Sequence, residues 1–264
     1  MNNELMEKKP KYIHHTDVHN LIAPRQVVPL LIKLFHPKNV LDVGCGIGTW
    51  LSVFKQHGVR GVHGIDGDFV DKKLLWNYIN EEEFTAKDLT LSFDLKKKFD
   101  LVICLEVAEH LEKKQANGFI KSICKHADVI VFSAAVPGQG GQNHLNEQWP
   151  AYWINLFKIQ GFKSYDILRP LIWNITEIDW WYKQNMLVFS NKSLTGFNES
   201  ALILPLVHPQ HLQQKVSENH QQDARIRELE MTCNPSRFNS IGIKSAWKIF
   251  IKSVKNKFNK IVSI

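Results

Sequence analysis

The chain has 264 residues, 44% of them apolar and 22% charged, which excludes a collagen, a disulfide-stapled mini-protein and a disordered chain. No apolar run approaches the roughly 18 residues that span a bilayer, and the lysine-rich stretch from Met1 to His15 has no signal-peptide core, so a cytoplasmic protein is expected. The net charge of +7 is local: seven of the 33 basic residues and none of the 26 acids lie from Arg237 onward, leaving residues 1–236 with 26 of each.

Residues 20–35 read as a helix that starts near Pro24 and is bent or restarted at Pro29. NVLDV (39–43) is a short apolar strand, followed by a glycine turn, GCGIG, and a helix closed by Gly58. GVHGID (61–66) is the second strand, so a βαβ unit opens the domain. In FVDKKLL the expected helix N-cap is Asp68. Residues 83–87, 99–107 and 128–136 continue as strands, with a helical stretch expected after 107. A helix over 150–161 precedes two final strands, FKSYDIL and NMLVFS. The alternation predicts an α/β fold: a Rossmann-like, seven-stranded, mostly parallel sheet with helices on both faces. The domain plan is an N-terminal helical lid (1–36), a core domain (37–192), a poorly periodic connector (193–236) and a basic helical tail (237–264). Cys45, Cys104, Cys124 and Cys233 show no CxxC spacing and read as reduced thiols.

The turn Asp42-Val-Gly44-Cys45-Gly46-Ile-Gly48 follows a strand and opens a helix, where glycine permits tight turning and close ligand approach. Asp66 ends the next strand, placed to accept hydrogen bonds from ribose hydroxyls. A dinucleotide is disfavoured because the spacing is GxGxG with Thr49 in place of a third glycine, and because Asp42 would repel a pyrophosphate. The acids suit a cofactor with a ribose and adenine at one end and a sulfonium and ammonium at the other.

VLDVGCGIGTW, with GIDGD and FDLVICLEVAEHL after it, resembles the class I S-adenosylmethionine-dependent methyltransferases, most of all the bacterial branch that modifies sugars and surface glycans. The resemblance spans about residues 15–190 and implies a sheet with a reversed last hairpin. It implies that the 44–48 turn, with Gly44, Cys45 and Gly46, passes under the methionine part of the cofactor, and that Asp66 holds its ribose. Asp88 and Leu89 would reach the adenine, with a turn cap as the alternative for Asp88, and Glu106 would touch the cofactor.

Glu106, Glu109 and His110 follow the fourth strand at i, i+3 and i+4, one face of a helix if a helix starts there. Converging carboxylates call for a positive partner, and oxygen-rich ligands with one or two histidines suit Mg²⁺, Mn²⁺ or Fe²⁺. His144, in the glycine-rich loop after the fifth strand, is the fourth candidate ligand. The set Glu106, Glu109, His110 and His144 resembles the metal site of plant small-RNA 2′-O-methyltransferases, and the ExxEH part is shared with ubiquinone-pathway O-methyltransferases. His144 and His110 are also the candidate catalytic groups, a general base being worth about 10²–10⁴-fold. The plainer alternative has His110 packing at a helix start and His144 ordering its loop.

Trp149, Tyr152, Trp153, Trp173, Trp180, Trp181 and Tyr182 offer an aromatic wall for a sugar, with core packing favoured for Trp153 and Trp181. His14, His15, His19, Asn20 and Arg25 would fold over the cofactor. The tail places Ile243, Trp247, Phe250, Val254, Phe258 and Ile261 on one face of a basic amphipathic helix, the pattern of a helix lying on an anionic membrane surface; docking against the body or a partner, and binding nucleic acid, are the alternatives. The expected protein is an S-adenosylmethionine-dependent O-methyltransferase for a sugar-type hydroxyl in surface-polysaccharide biosynthesis, metal-assisted, and peripheral at the inner membrane face. The rivals are an RNA 2′-O-methyltransferase and a non-catalytic cofactor-binding module. Nucleic acid is not the expected partner, because the first 236 residues have no basic excess to follow phosphates.

Overall fold

The computed structural model describes residues 12–233 together with Trp247, Lys248, Ile251 and Lys252. Helix α1 (Ile22–Phe35) runs unbroken through Pro29, beginning two residues ahead of Pro24, and ends at His36 in a left-handed conformation before Pro37. It is followed by β1 (Asn39–Val43), α2 (Thr49–Gln56), β2 (Gly61–Asp66), α3 (Lys72–Leu75), β3 (Phe84–Ala86) and β4 (Leu101–Leu105). Then come α4 (Ala116–Cys124), β5 (Val129–Ser133), α5 (Pro150–Ile159), β6 (Lys163–Tyr165), α6 (Leu168–Ile172), α7 (Trp180–Asn185), β7 (Leu187–Ser190) and α8 (Pro209–Cys233).

The seven strands form one sheet in the order β3-β2-β1-β4-β5-β7-β6, as the alternating pattern predicts. Strands β1 to β5 pair in parallel and β7 runs antiparallel to both neighbours, which is the reversed final hairpin. All five residues of β4 are buried, as expected of a central parallel strand covered on both faces. One core lies on the α1–α2 face and includes Val28, Leu51, Phe54, Leu168 and Tyr182. The other, on the α4–α5 face, includes Phe119, Phe132, Trp153, Phe157 and Phe189. The strand order reverses between β1 and β4, and ligands of open α/β sheets bind in the crevice outside the strands' carboxyl ends at such a switch point.

Three local expectations are corrected. Asp71, not Asp68, caps α3, accepting hydrogen bonds from the Lys73 and Leu74 amides, while Asp68 is exposed and pairs with Lys72 at 3.9 Å. The helical stretch expected after β4 opens with a single 3₁₀ turn, Ala108–His110, and its α-helix, α4, starts only at Ala116. The supposed connector carries α8, a 25-residue helix polar on nearly every side, whose lack of apolar periodicity hid it.

The chain divides into two compact units, residues 1–211 and 212–264. The first unit holds the sheet. Within it, residues 204–211 are fastened by Trp173 over His208, Trp180 stacked on His211 at 4.2 Å, and the buried Lys183 donating to Gln210 at 2.8 Å. The second unit holds most of α8. The amphipathic tail lies outside the described residues except for Trp247, Lys248, Ile251 and Lys252, which are helical and exposed. Among the described residues no helix is long and apolar enough to cross a membrane.

Candidate active site

The glycine turn between β1 and α2 is locked from within. Gly44 and Cys45 donate their amides to the Ile65 carbonyl, Gly46 donates to Asp66 Oδ2 at 2.7 Å, and Gly48 donates to the Cys45 carbonyl. A turn whose N–H groups are taken up in this way does not offer the anion-binding nest that a pyrophosphate requires. Gly44 sits at φ +81°, and a Cβ there would lie 2.4 Å from a Val107 methyl, so its identity is set by close packing. The Cys45 side chain turns into the core, where its Sγ would meet a Cβ at Gly64 at 2.6 Å; only the Cys45 backbone can line a ligand path.

Two acids flank this turn. Asp42 is 3% exposed, and its Oδ2 has no hydrogen-bond partner; burial and then the neighbouring Asp66 push its carboxyl well above the ordinary range. Asp66 accepts from Gly46 and, at 2.6 Å, from the Gly67 amide; burial raises it to about 6 against the pull of those two amides and Lys72. A buried carboxylate with an orphaned oxygen is costly unless a cation or donor arrives. Both acids therefore fit the ammonium, sulfonium and ribose groups of S-adenosylmethionine. Asp88 is exposed and takes the turn-cap geometry, its Oδ1 accepting from the Thr90 amide and hydroxyl, while Leu89 is buried in the second core.

At the end of β4 the chain departs from the predicted helix face. Glu106 has φ +55°, its amide held by the Ser133 carbonyl and hydroxyl. Its carboxylate accepts from Gln139 Nε2 at 2.8 Å and from Asn185 Nδ2 at 3.2 Å. The expected four-ligand set thus becomes three: one ligand atom each from Glu109, His110 and His144 lie within 4.8 Å of one another, with Glu106 outside the group. The reason is local. With no α-helix at 106–110, the i, i+3, i+4 rule has no face on which to place Glu106.

Glu109 is completely buried, and neither carboxylate oxygen makes a hydrogen bond of ordinary geometry, although its own and the Ala135 amides and the Glu106 carboxyl lie close enough to act on it. Burial, then the nearby Glu106, drives its carboxyl well above the usual range. The His110 ring lies 4.9 Å from that of His144; burial lowers His110 to about 4, keeping it neutral, and its Nδ1 is buried without a partner. The position of Glu109 is fixed by its backbone carbonyl, which accepts from the Leu145 and Asn146 amides and so ties the 3₁₀ turn to the His144 loop.

The front segment reaches both halves of this crevice. The His14 imidazole covers Gly46, where a Cβ would lie 2.9 Å from its Cδ2, and its Nε2 is 3.9 Å from Asp66. Tyr12 packs edge-on against His110 with centroids 5.0 Å apart, and its hydroxyl is 3.2 Å from His19 Nε2. Burial lowers His14 to about 3 and His19 to about 4, and raises Tyr12 to about 12, so all three are neutral at physiological pH. His15 and Arg25 face solvent instead.

The aromatic wall also divides. Trp153 and Tyr182 belong to the core, Trp173 and Trp180 hold residues 204–211, and Trp149, 42% exposed at the start of α5, keeps a free face. Tyr12, Gln139, Glu147 and Asn185 escaped the sequence reading. Of these only Glu147 carried a signal, an acid three residues after His144.

A family model described as a methyltransferase domain matches residues 13–174. The chain belongs to this family. Its domain is that of an S-adenosylmethionine-dependent methyltransferase, with the Rossmann-like sheet described above. Over 108 residues the chain is 32% identical to norajmaline N-methyltransferase of Rauvolfia serpentina, covering 38% of this chain and 37% of that protein. The ribosomal protein L11 methyltransferase of Fusobacterium nucleatum is 31% identical over 129 residues, 45% of this chain and 39% of that one. The chain thus spans about two fifths of the length of these curated relatives. Among solved structures, a sugar N-methyltransferase from Streptoalloteichus shares the fold with a TM-score of 0.53 at 13% identity, over 73% of this chain and 99% of that one. The methyltransferase domain of bacterial CtHen1-C does so with a TM-score of 0.50 at 19% identity, over 66% and 100%.

Proposed function

We propose that the protein methylates a hydroxyl of a sugar or similar small polar acceptor, using S-adenosylmethionine and a divalent cation held by Glu109, His110 and His144. The observation that carries the reading is Glu109, a fully buried carboxylate whose two oxygens make no hydrogen bond of ordinary geometry, beside two imidazoles and next to the cofactor crevice. With Glu106 outside the set, the donors are one carboxylate and two imidazoles, which suit Mn²⁺ or Fe²⁺ better than Mg²⁺.

S-adenosylmethionine would supply a methyl group on a sulfonium, and a cation held by Glu109, His110 and His144 would make a nearby hydroxyl more acidic. The rest falls to the chain. Asp42 and Asp66 hold the cationic and ribose ends, with Asp88 and Leu89 beside the adenine. Gln139 and Asn185 restrain the Glu106 carboxylate at the crevice floor. Tyr12 and His14 close over the reacting groups and exclude water without adding charge. Trp149 offers an exposed ring for the C–H face of a sugar. Holding two reactants in line is worth roughly 7–11 kcal/mol, more than a single base supplies. The sugar-type acceptor is supported by the exposed Trp149 ring, five residues beyond His144. Attachment to a membrane surface through the basic tail, and a place in surface-polysaccharide assembly, belong to the same proposal.

The test is calorimetric titration of Mn²⁺ into metal-stripped protein saturated with S-adenosylhomocysteine, beside a His144→Ala variant. Saturable binding lost in the variant is expected; absence of binding to the unmodified protein would overturn the metal part. Release of S-adenosylhomocysteine with sugar acceptors bearing neighbouring hydroxyls, and none with amino-only acceptors, tests the acceptor atom.

A further inference from the structure

The loop between β5 and α5 is built around one side-chain pair. Glu147 Oε1 faces His144 Nδ1 at 2.8 Å and accepts from the Gly140 amide at 2.7 Å, while Oε2 accepts from the Gly138 amide at 2.7 Å. Both side chains are largely buried, 12% and 20% exposed. Two backbone amides donate to this carboxylate, so its place is fixed from two sides by backbone and from the third by its contact with the imidazole.

The glycines follow from this arrangement. Gly138 and Gly140 have φ +83° and +74°, conformations that turn their amides toward one carboxylate. Gly141 has φ +153°, and a Cβ there would lie 2.3 Å from His144 Nε2, so the ring rests on the bare backbone. Three glycines and one acid thus hold a single histidine.

We infer that Glu147 is a positioning residue that fixes His144 as its Nδ1–H tautomer and aims the bare Nε2 at Glu109 and His110. The inference rests on the reading of His144 as ligand or base. A free neutral imidazole does not hold this tautomer by itself. A carboxylate that can only accept imposes it, and the same device orients histidines at metal sites and in hydrolase triads. Lone-pair donation from Nε2 is what both roles of His144 require, so Glu147 acts through His144 and does not touch the reacting atoms.

The experiment compares the full chain with Glu147→Gln, which keeps the volume but can donate to Nδ1 as well as accept from it. Long-range ¹H–¹⁵N correlation spectra of metal-free protein, recorded above the ordinary imidazole pKa, read the His144 tautomer directly. Wild type is expected to show Nδ1 protonated and Nε2 bare, and Glu147→Gln to show the Nε2–H form gained. Mn²⁺ affinity, measured by calorimetry, is expected to fall roughly 10–100-fold in the variant. Gly141→Ala, which leaves Glu147 in place but pushes the ring, is expected to lose Mn²⁺ affinity while keeping the tautomer. A wild-type Nε2–H tautomer overturns the inference, as does a Glu147→Gln protein with unchanged tautomer and affinity. If wild type binds no Mn²⁺ the metal reading fails alone, and the tautomer still decides the role of Glu147. If Glu147→Gln does not fold, the wild-type spectrum decides it.

Discussion

Replacing Glu109 with glutamine should stabilise the cation-free protein and abolish its response to Mn²⁺. Glu109 is fully buried, neither of its oxygens makes a hydrogen bond of ordinary geometry, and its carboxyl is pushed well up by burial and by Glu106. Its folded pKa therefore lies above the unfolded value of about 4.3. The folded state binds the extra proton, so stability falls as pH rises from the unfolded pKa toward the folded one. Above the unfolded pKa, burying this carboxyl therefore costs the folded state stability that a neutral side chain would keep. Glutamine removes that cost and puts a neutral buried amide where a neutral buried acid would stand, so a gain on the order of 1–3 kcal/mol is expected. For a domain of this size that is a rise in Tm of about 2–12 °C. Scanning calorimetry at neutral pH would show it, and the gain should vanish below pH 4, where both forms are neutral. Mn²⁺ at a hundred times its Kd should stabilise wild type by about 2.7 kcal/mol and leave Glu109→Gln unmoved. A variant no more stable than wild type without cation, or one that still responds to Mn²⁺, would refute the claim that this carboxylate is held for a cation.

Asp42→Asn keeps the shape of a buried side chain with an orphaned oxygen but removes its charge. Calorimetry should show S-adenosylhomocysteine binding weakened roughly 10–100-fold, the value of a charged hydrogen bond, and unchanged affinity would remove Asp42 from the cofactor site. Gly44→Ala forces a Cβ to 2.4 Å from Val107 at φ +81° and should cost about 2–3 kcal/mol in urea unfolding, with part recovered by Val107→Ala; a neutral effect would show the turn is looser than described. Trp180→Ala removes the stack on His211, so limited proteolysis should cut residues 201–208 faster while the sheet stays folded; an unchanged digest would mean the other contacts of this stretch suffice.

How much of this was legible depends on whether a signal was local. The strands were readable because central parallel strands are continuous apolar runs, as in LVICL of β4. The glycine turn and Asp66 were readable because strand, turn, helix and strand follow within one short stretch. Glu106 was misplaced because its positive φ is imposed by Ser133, 27 residues away, which no local periodicity encodes. The front segment was expected over the cofactor, but that Tyr12 would pack on His110 while Arg25 faces solvent depends on contacts about a hundred residues apart. Helix α8 was missed for the opposite reason: its polarity on nearly every side leaves no face to detect.

The electrostatics of the crevice tie these features together. Asp42, Asp66, Glu106 and Glu109 are all held above their ordinary pKa values by burial, and only Asp66 feels a lysine, Lys72. A fold selected for stability alone would pair such acids with arginine, as Asp166 is paired with the buried Arg169. Here the covering residues are Tyr12, His14 and His19, neutral groups that close the crevice without cancelling its charge. This deficit of positive charge is what the proposed cationic cofactor and divalent cation would fill. Amide donors rather than cations hold the Glu106 carboxylate in place. The charge pattern therefore distinguishes the crevice from a phosphate-binding one on the same sheet topology, where backbone amides and lysines would occupy these positions.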